Sequence, residues 1–221
     1  MTLKSVFSSL AMAMMLFMPS ISAAVETEKR APIDPALAAI LARIEKNMSV
    51  IDTLRTEFTE EKKLAAFKNT IILKGRISLR KPGRIVLRVF EPTRYAVVIT
   101  EKVVRQWDGD TGKVQEMRID GNPVLRTVLE QMKVWFNGNY SSMVREYDIR
   151  VVQESPIVME FIPRKGGVAG KMIKSVTIGF RGDGRCLESI HILEEGGDSS
   201  MMVFSGTELN PVLGKTEFEL K

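Results

Sequence analysis

The sequence holds one cysteine and one histidine among 221 residues, and each scarcity excludes chemistry. A lone Cys186 cannot form an internal disulfide. With a single histidine beside it, the chain cannot supply a tetrahedral structural zinc site of the usual kind, so no metal site is expected. Cys186 lies in a strand-like run, where a thiol reads as a small buried hydrophobe. His191 lies in a similar run with no nucleophile motif around it, so no catalytic residue is assigned and an enzyme is not expected. A basic stripe with interleaved aromatics is also missing. Glu57, Glu60 and Glu61 stand beside Arg55, Lys62 and Lys63, so the formal net charge of +5 is spread over a mixed surface. That argues against nucleic acid and leaves a weak attraction to anionic membranes or an acidic partner.

Long apolar runs are scarce as well. The one at the start, Val6 to Met18, follows the basic Met1–Lys4 and ends at Pro19-Ser20, and Ser22-Ala23-Ala24 offers small residues for cleavage. Residues 1–24 therefore read as a secretory signal peptide, too short in its apolar part to anchor in a bilayer. The remainder, 25–221, reads as one domain without repeats or linkers. No cysteine directly follows the leader, so an exported, soluble and unlipidated protein is expected.

Local patterns then set the elements. Asp34 as N-cap and Pro35 at the first helical position open a helix over 35–47, with Leu37, Ile40, Leu41, Ile44 and Met48 on one stripe. From Leu54 the period becomes two. Leu54, Thr56 and Phe58 alternate with Arg55, Glu57 and Thr59, and Leu73, Gly75, Ile77 and Leu79 with Lys74, Arg76, Ser78 and Arg80. Lys81-Pro82-Gly83 is read as a turn with glycine at positive φ. Further strands follow at 85–90, 96–99, 103–107 and 114–119, the last two joined by Asp108-Gly109-Asp110-Thr111-Gly112. That segment looks like a calcium loop but lacks the closing glutamate, so a hairpin turn is expected. Gly166 to Gly170 does not lead from a strand into a helix as a phosphate loop should. A helix over 123–136 groups Leu125, Val128, Leu129, Met132, Trp135 and Phe136 on one face, which suits ordinary core packing or a binding surface. A short helix at 141–147 and strands at 149–152, 157–162, 173–180, 186–193, 201–209 and 216–220 complete the pattern. The fold class is thus mainly β, with about eleven antiparallel strands and two or three helices. Strands 85–90 and 157–162 are apolar on both faces, so helices or a ligand should cover the sheet.

Several segments carry a family resemblance. Phe58-Thr59-Glu60-Glu61-Lys62 closes the first strand, and Gly75 to Gly83 runs through a strand into Lys81-Pro82-Gly83. Glu91-Pro92 separates two strands, and Phe161-Ile162-Pro163, Ile173 to Phe180 and Asp183-Gly184 mark the second half. In this order they resemble the LolA family of outer-membrane lipoprotein carriers across most of the chain after residue 24. The resemblance implies an unclosed β-barrel with helices covering its concave side, no cofactor, and a monomer that shuttles acylated cargo (lipoprotein, glycolipid or another lipid) through the periplasm. Its implied partners are an inner-membrane export complex and an outer-membrane acceptor. Leu125, Val128, Leu129, Met132 and Trp135 would belong to the lid, with Phe58 and Leu87 in the cavity. Lys81 would hold the latch position, where the family has arginine, and Leu87 replaces a usual tryptophan. The chain also stops at Lys221 without the C-terminal extension of the best-known carriers, and Glu60 stands where glutamine is usual. An envelope sensor built on the same half-barrel is the alternative function.

Overall fold

The computed structural model describes residues 33–120, 126, 134–136, 138–164 and 169–220. The expected leader 1–24, and Leu125, Val128, Leu129 and Met132 of the expected lid, lie outside them.

Alternation does become strand. The strands are β1 (Thr53–Lys63), β2 (Ile71–Arg80), β3 (Arg84–Glu91), β4 (Tyr95–Ile99), β5 (Val103–Asp108) and β6 (Val114–Arg118). They continue as β7 (Tyr147–Glu154), β8 (Ile157–Pro163), β9 (Ile173–Phe180), β10 (Leu187–Glu194) and β11 (Ser199–Leu209). All belong to one antiparallel sheet in the order β6-β5-β4-β3-β2-β1-β11-β10-β9-β8-β7. The sheet does not close, so this is an unclosed half-barrel. Its chain path matters for function: from edge strand β6 the chain must cross the concave side to start β7 at the opposite edge. That crossing segment carries Trp135, Phe136, Tyr140 and Met143, all buried in the same core as the sheet.

Helix α1 (Pro35–Ser49) precedes the sheet and packs on its concave face through Leu41, Ile44 and Met48. Asp34 caps it, its Oδ1 accepting from Ala36 N at 2.9 Å, a contribution of about 1 kcal/mol. Within the sheet, the Phe58 ring lies over Gly75, where a Cβ would come 2.7 Å from the ring. Residues Tyr140–Arg145 form a 3-10 turn in place of the expected short helix. Tyr140 is fully buried between Phe161 and Phe180.

Three expectations are corrected. At Lys81-Pro82-Gly83 the Lys81–Pro82 peptide is cis and Gly83 does not take positive φ. Gly83 instead leaves room for Glu101, whose Cγ would meet a Cβ at 2.9 Å. Residues 216–220 form no strand, because Lys215–Phe218 is a 3-10 turn. The reason is geometric: β1 already has β2 on one side and β11 on the other, so the tail crosses the convex face of the sheet. There Ser78 Oγ bonds Glu217 Oε1 at 2.5 Å, and Arg88 Nη2 donates to Glu219 O at 2.7 Å. Arg80 donates to Leu213 O and stacks over the Phe218 ring at 4.9 Å. This strap, not a helix or ligand, covers the outer side of β3, where Val86 is fully buried.

Candidate functional site

On the concave face, the cross-strand register stacks apolar side chains in rows. Leu79, Ile85 and Ile99 form one, and Ile77, Leu87 and Val97 the next. Each such side chain removed from water contributes about 1.5–3 kcal/mol. Of the expected site residues, Phe58, Leu87 and Trp135 are buried in one contiguous cluster with α1. Trp135 belongs to the helical stretch Val134–Phe136, and its carbonyl accepts from the buried Tyr140 hydroxyl at 2.8 Å.

A pocket opens beneath the end of α1. Met48, Ile51, Leu79, Phe136, Cys186 and Phe204 line it, and its free space is about 10 Å³. That is about the minimum for one water and far below an acyl chain. For a chain to enter here, α1 or the segment bearing Phe136 must move. Cys186 is 1% exposed and burial pushes its thiol pKa up, so it serves as pocket wall rather than nucleophile. Asp108 to Gly112 is a hairpin turn, with Asp108 Oδ1 accepting from the Asp110 and Thr111 amides at 2.9 Å. His191 sits on the convex side of β10, paired with Thr177 and Met201. Among the described residues no group of three or more His, Cys, Asp or Glu is gathered to hold a metal ion.

Polar ties hold the cover down. Lys81 Nζ donates to Met48 O at 3.0 Å, at the C-terminus of α1, where a cation also meets the negative end of the helix dipole. Burial lowers the Lys81 pKa, partly offset by Asp52. Glu45 of α1 accepts from Ser141 N at 2.9 Å and from the Ser141 hydroxyl. Gly138, at φ +84°, ends the Trp135 stretch in the left-handed conformation. A Cβ there would come 2.9 Å from Met48 Cβ. The expected latch residue therefore bonds α1, the helix before the sheet.

Sequence comparison then fixes the family. The family model described as "Outer membrane lipoprotein carrier protein LolA" matches residues 49–221. The chain belongs to the LolA family. No curated protein sequence matches it. Among solved structures, the MucA/MucB complex of Pseudomonas aeruginosa superposes with a TM-score of 0.52 at 14% identity, covering 84% of this chain and 61% of that one. MucB alone gives 0.53 at 14% identity, over 86% and 65%. An uncharacterized conserved protein from Thermus thermophilus gives 0.51 at 14%, over 83% and 92%. The chain thus spans about three fifths of the MucB chain in that complex, and at these identities the likeness is one of fold. The match to the LolA model begins at the last residue of α1, so the half-barrel and crossing segment are the shared part. Among the described residues, no helix of this LolA-family chain is long and apolar enough to cross a membrane.

Sequence reasoning missed Met48, Ile51, Phe204 and Cys186 as pocket wall. Met48 was visible on the α1 stripe. Phe204 lies on β11, whose register the sequence does not reveal, and Ile51 and Cys186 lie just before β1 and β10, in connections whose path it does not reveal either.

Proposed function

We propose that this protein is a periplasmic carrier, exported by residues 1–24. It shelters the acyl chains of a lipoprotein or lipid against the concave face of its sheet and conveys them from the inner to the outer membrane. The observation that carries this reading is the small pocket itself. An apolar trough is shut by α1 and the crossing segment, which pack on it through apolar side chains and, among the described residues, are tied by the Lys81–Met48 and Glu45–Ser141 hydrogen bonds. An acyl chain in water costs about 0.8 kcal/mol per methylene, so a carrier needs a dry face that opens on contact and closes behind the cargo. In this reading α1 and the crossing segment, which carries Trp135 with Leu125, Val128, Leu129 and Met132, are the moving cover. Phe58 and Leu87 are wall, and Lys81 is the latch acting on α1. Membership in the LolA family supports it, and carriage rather than turnover is its consequence.

The fold shared with MucB, solved bound to MucA, fits a sensor that reports acylated ligands to a protein partner. Purification from the native envelope followed by mass spectrometry separates the two. A carrier yields bound lipid or lipoprotein and passes it to outer-membrane vesicles. A protein that retains no acylated molecule and instead co-purifies with a stoichiometric regulatory protein contradicts the carrier role.

A further inference from the structure

The concave face carries a polar spot that shielding an acyl chain does not require. On β1, Glu60 is 1% exposed, and on β11 the buried Ser200 donates its hydroxyl to Glu60 Oε1 at 2.5 Å. Among the described residues, the other carboxyl oxygen, Glu60 Oε2, has no hydrogen-bond partner. Neither has the hydroxyl of Tyr95, a buried residue on the same face of β4. Burial first, and then the Glu60 charge, push the Tyr95 hydroxyl pKa up, so the hydroxyl stays protonated and able to donate. Leu73 and Met202 pair with Glu60 from either side and Val89 pairs with Tyr95, while the buried Lys62, two residues along the same face of β1, is the charged neighbour of Glu60. Buried polar atoms left without partners are costly, and an apolar lining would avoid that cost. Two such atoms in one cargo face suit a ligand that completes their bonding.

We propose that Glu60 and Tyr95 form a polar anchor inside the half-barrel for the junction where an acyl chain meets its headgroup. This rests on the carrier reading above. The ligand class is an acylglycerol-like group, an ester carbonyl beside a hydroxyl or amide. The carbonyl accepts from the Tyr95 hydroxyl, while the hydroxyl or amide N–H donates to Glu60 Oε2. Ser200 fixes the carboxyl by holding its other oxygen. The anchor sets the depth to which cargo enters and selects esterified chains over bare hydrocarbon.

The test compares dibromostearoyl glycerol with dibromooctadecane, each titrated against the purified protein and followed by quenching of Trp135, with Trp107 replaced by phenylalanine. The expected result is tighter binding of the glyceride, weakened about three- to tenfold by Tyr95→Phe and by Glu60→Leu, the size of one hydrogen bond. Glu60→Gln retains the preference, and hydrocarbon binding is unchanged in all three. Tyr95→Phe removes a single oxygen and keeps the ring, so it decides the matter if Glu60→Leu fails to fold. Equal binding of both probes by the parent protein, or a Tyr95→Phe protein with full glyceride affinity, overturns the anchor and leaves the carrier reading standing. Binding of neither probe overturns both.

Discussion

Lys81 Nζ lies 3.0 Å from the main-chain oxygen of Met48, so the turn between β2 and β3 holds the last turn of α1 against the open side of the half-barrel. The same Met48 lies against Gly138 and lines the pocket. One position thus joins the sheet, the helix and the crossing segment.

Replacing Lys81 by leucine removes a charged donor and a favourable charge at the helix end. The expected loss is about 1 kcal/mol, given the half-exposed site, which lowers Tm by about 2–4 °C in a chain of this size. Lys81→Arg, with five donors in a planar fork, should restore or exceed the parent value. Thermal melts, with hydrogen exchange at residues 44–49, check both. A Leu variant with unchanged protection there contradicts the latch.

Glu60 predicts the sign of a pH effect. Desolvation raises its pKa above the ordinary 4.5, opposed by the Ser200 hydrogen bond and by Lys62. An acid whose folded pKa is raised contributes its full stability below the unfolded pKa, and that contribution is lost as pH rises through the folded value. Glu60→Gln should therefore raise Tm at pH 8 relative to the parent, with the difference shrinking toward pH 4. A constant difference across that range would show that the carboxyl is not desolvated in the folded protein.

Gly75→Ala tests the wall. A Cβ there would lie 2.1 Å from Arg88 O and 2.7 Å from the Phe58 ring, and the backbone oxygen cannot step aside as a flexible side chain would. A destabilisation of about 1–3 kcal/mol is expected, measured by urea unfolding. A variant as stable as the parent would mean that the β2–β3 pairing, whose register shifts between Lys74 and Gly75, relaxes freely there.

These positions show what the sequence could and could not convey. Period-two alternation located β1 and β2, apolar runs between turn residues located most of the other strands, and the α1 stripe was complete down to Met48. The last alternating stretch, 216–220, misled because alternation says that one face is covered, not by what. The open places beside β1 were already filled by β2 and β11. Glu60 continues the Leu54, Thr56, Phe58 series and so was legible as inward-facing. Its meeting with Ser200, 140 positions later, depends on pairing register, which composition and spacing do not encode. Lys81 was marked by resemblance, but its partner is fixed only by the three-dimensional path of α1.

His191→Ala and Cys186→Ala should leave acyl-probe binding within twofold of the parent. His191 is on the convex side, and Cys186 contributes only apolar wall, so Cys186→Ala should cost stability of about 1 kcal/mol and little else. Quenching titrations and melts separate the two effects. A folded His191→Ala protein that no longer binds the probe would point to chemistry on the outer face.

The central claim is that cargo enters only when the cover lifts. Asn47 of α1 bonds Asp183 O in the β9–β10 turn at 3.2 Å, so Asn47→Cys with Asp183→Cys, in a Cys186→Ala background, ties α1 to the sheet. The measurement is quenching of Trp135 by a brominated fatty acid, with Trp107 replaced, before and after reduction of the tether. Little quenching is expected in the oxidised protein and recovery to the parent level on reduction, with the Lys81→Leu variant quenched faster than the parent. Full quenching of the oxidised, tethered protein would contradict it.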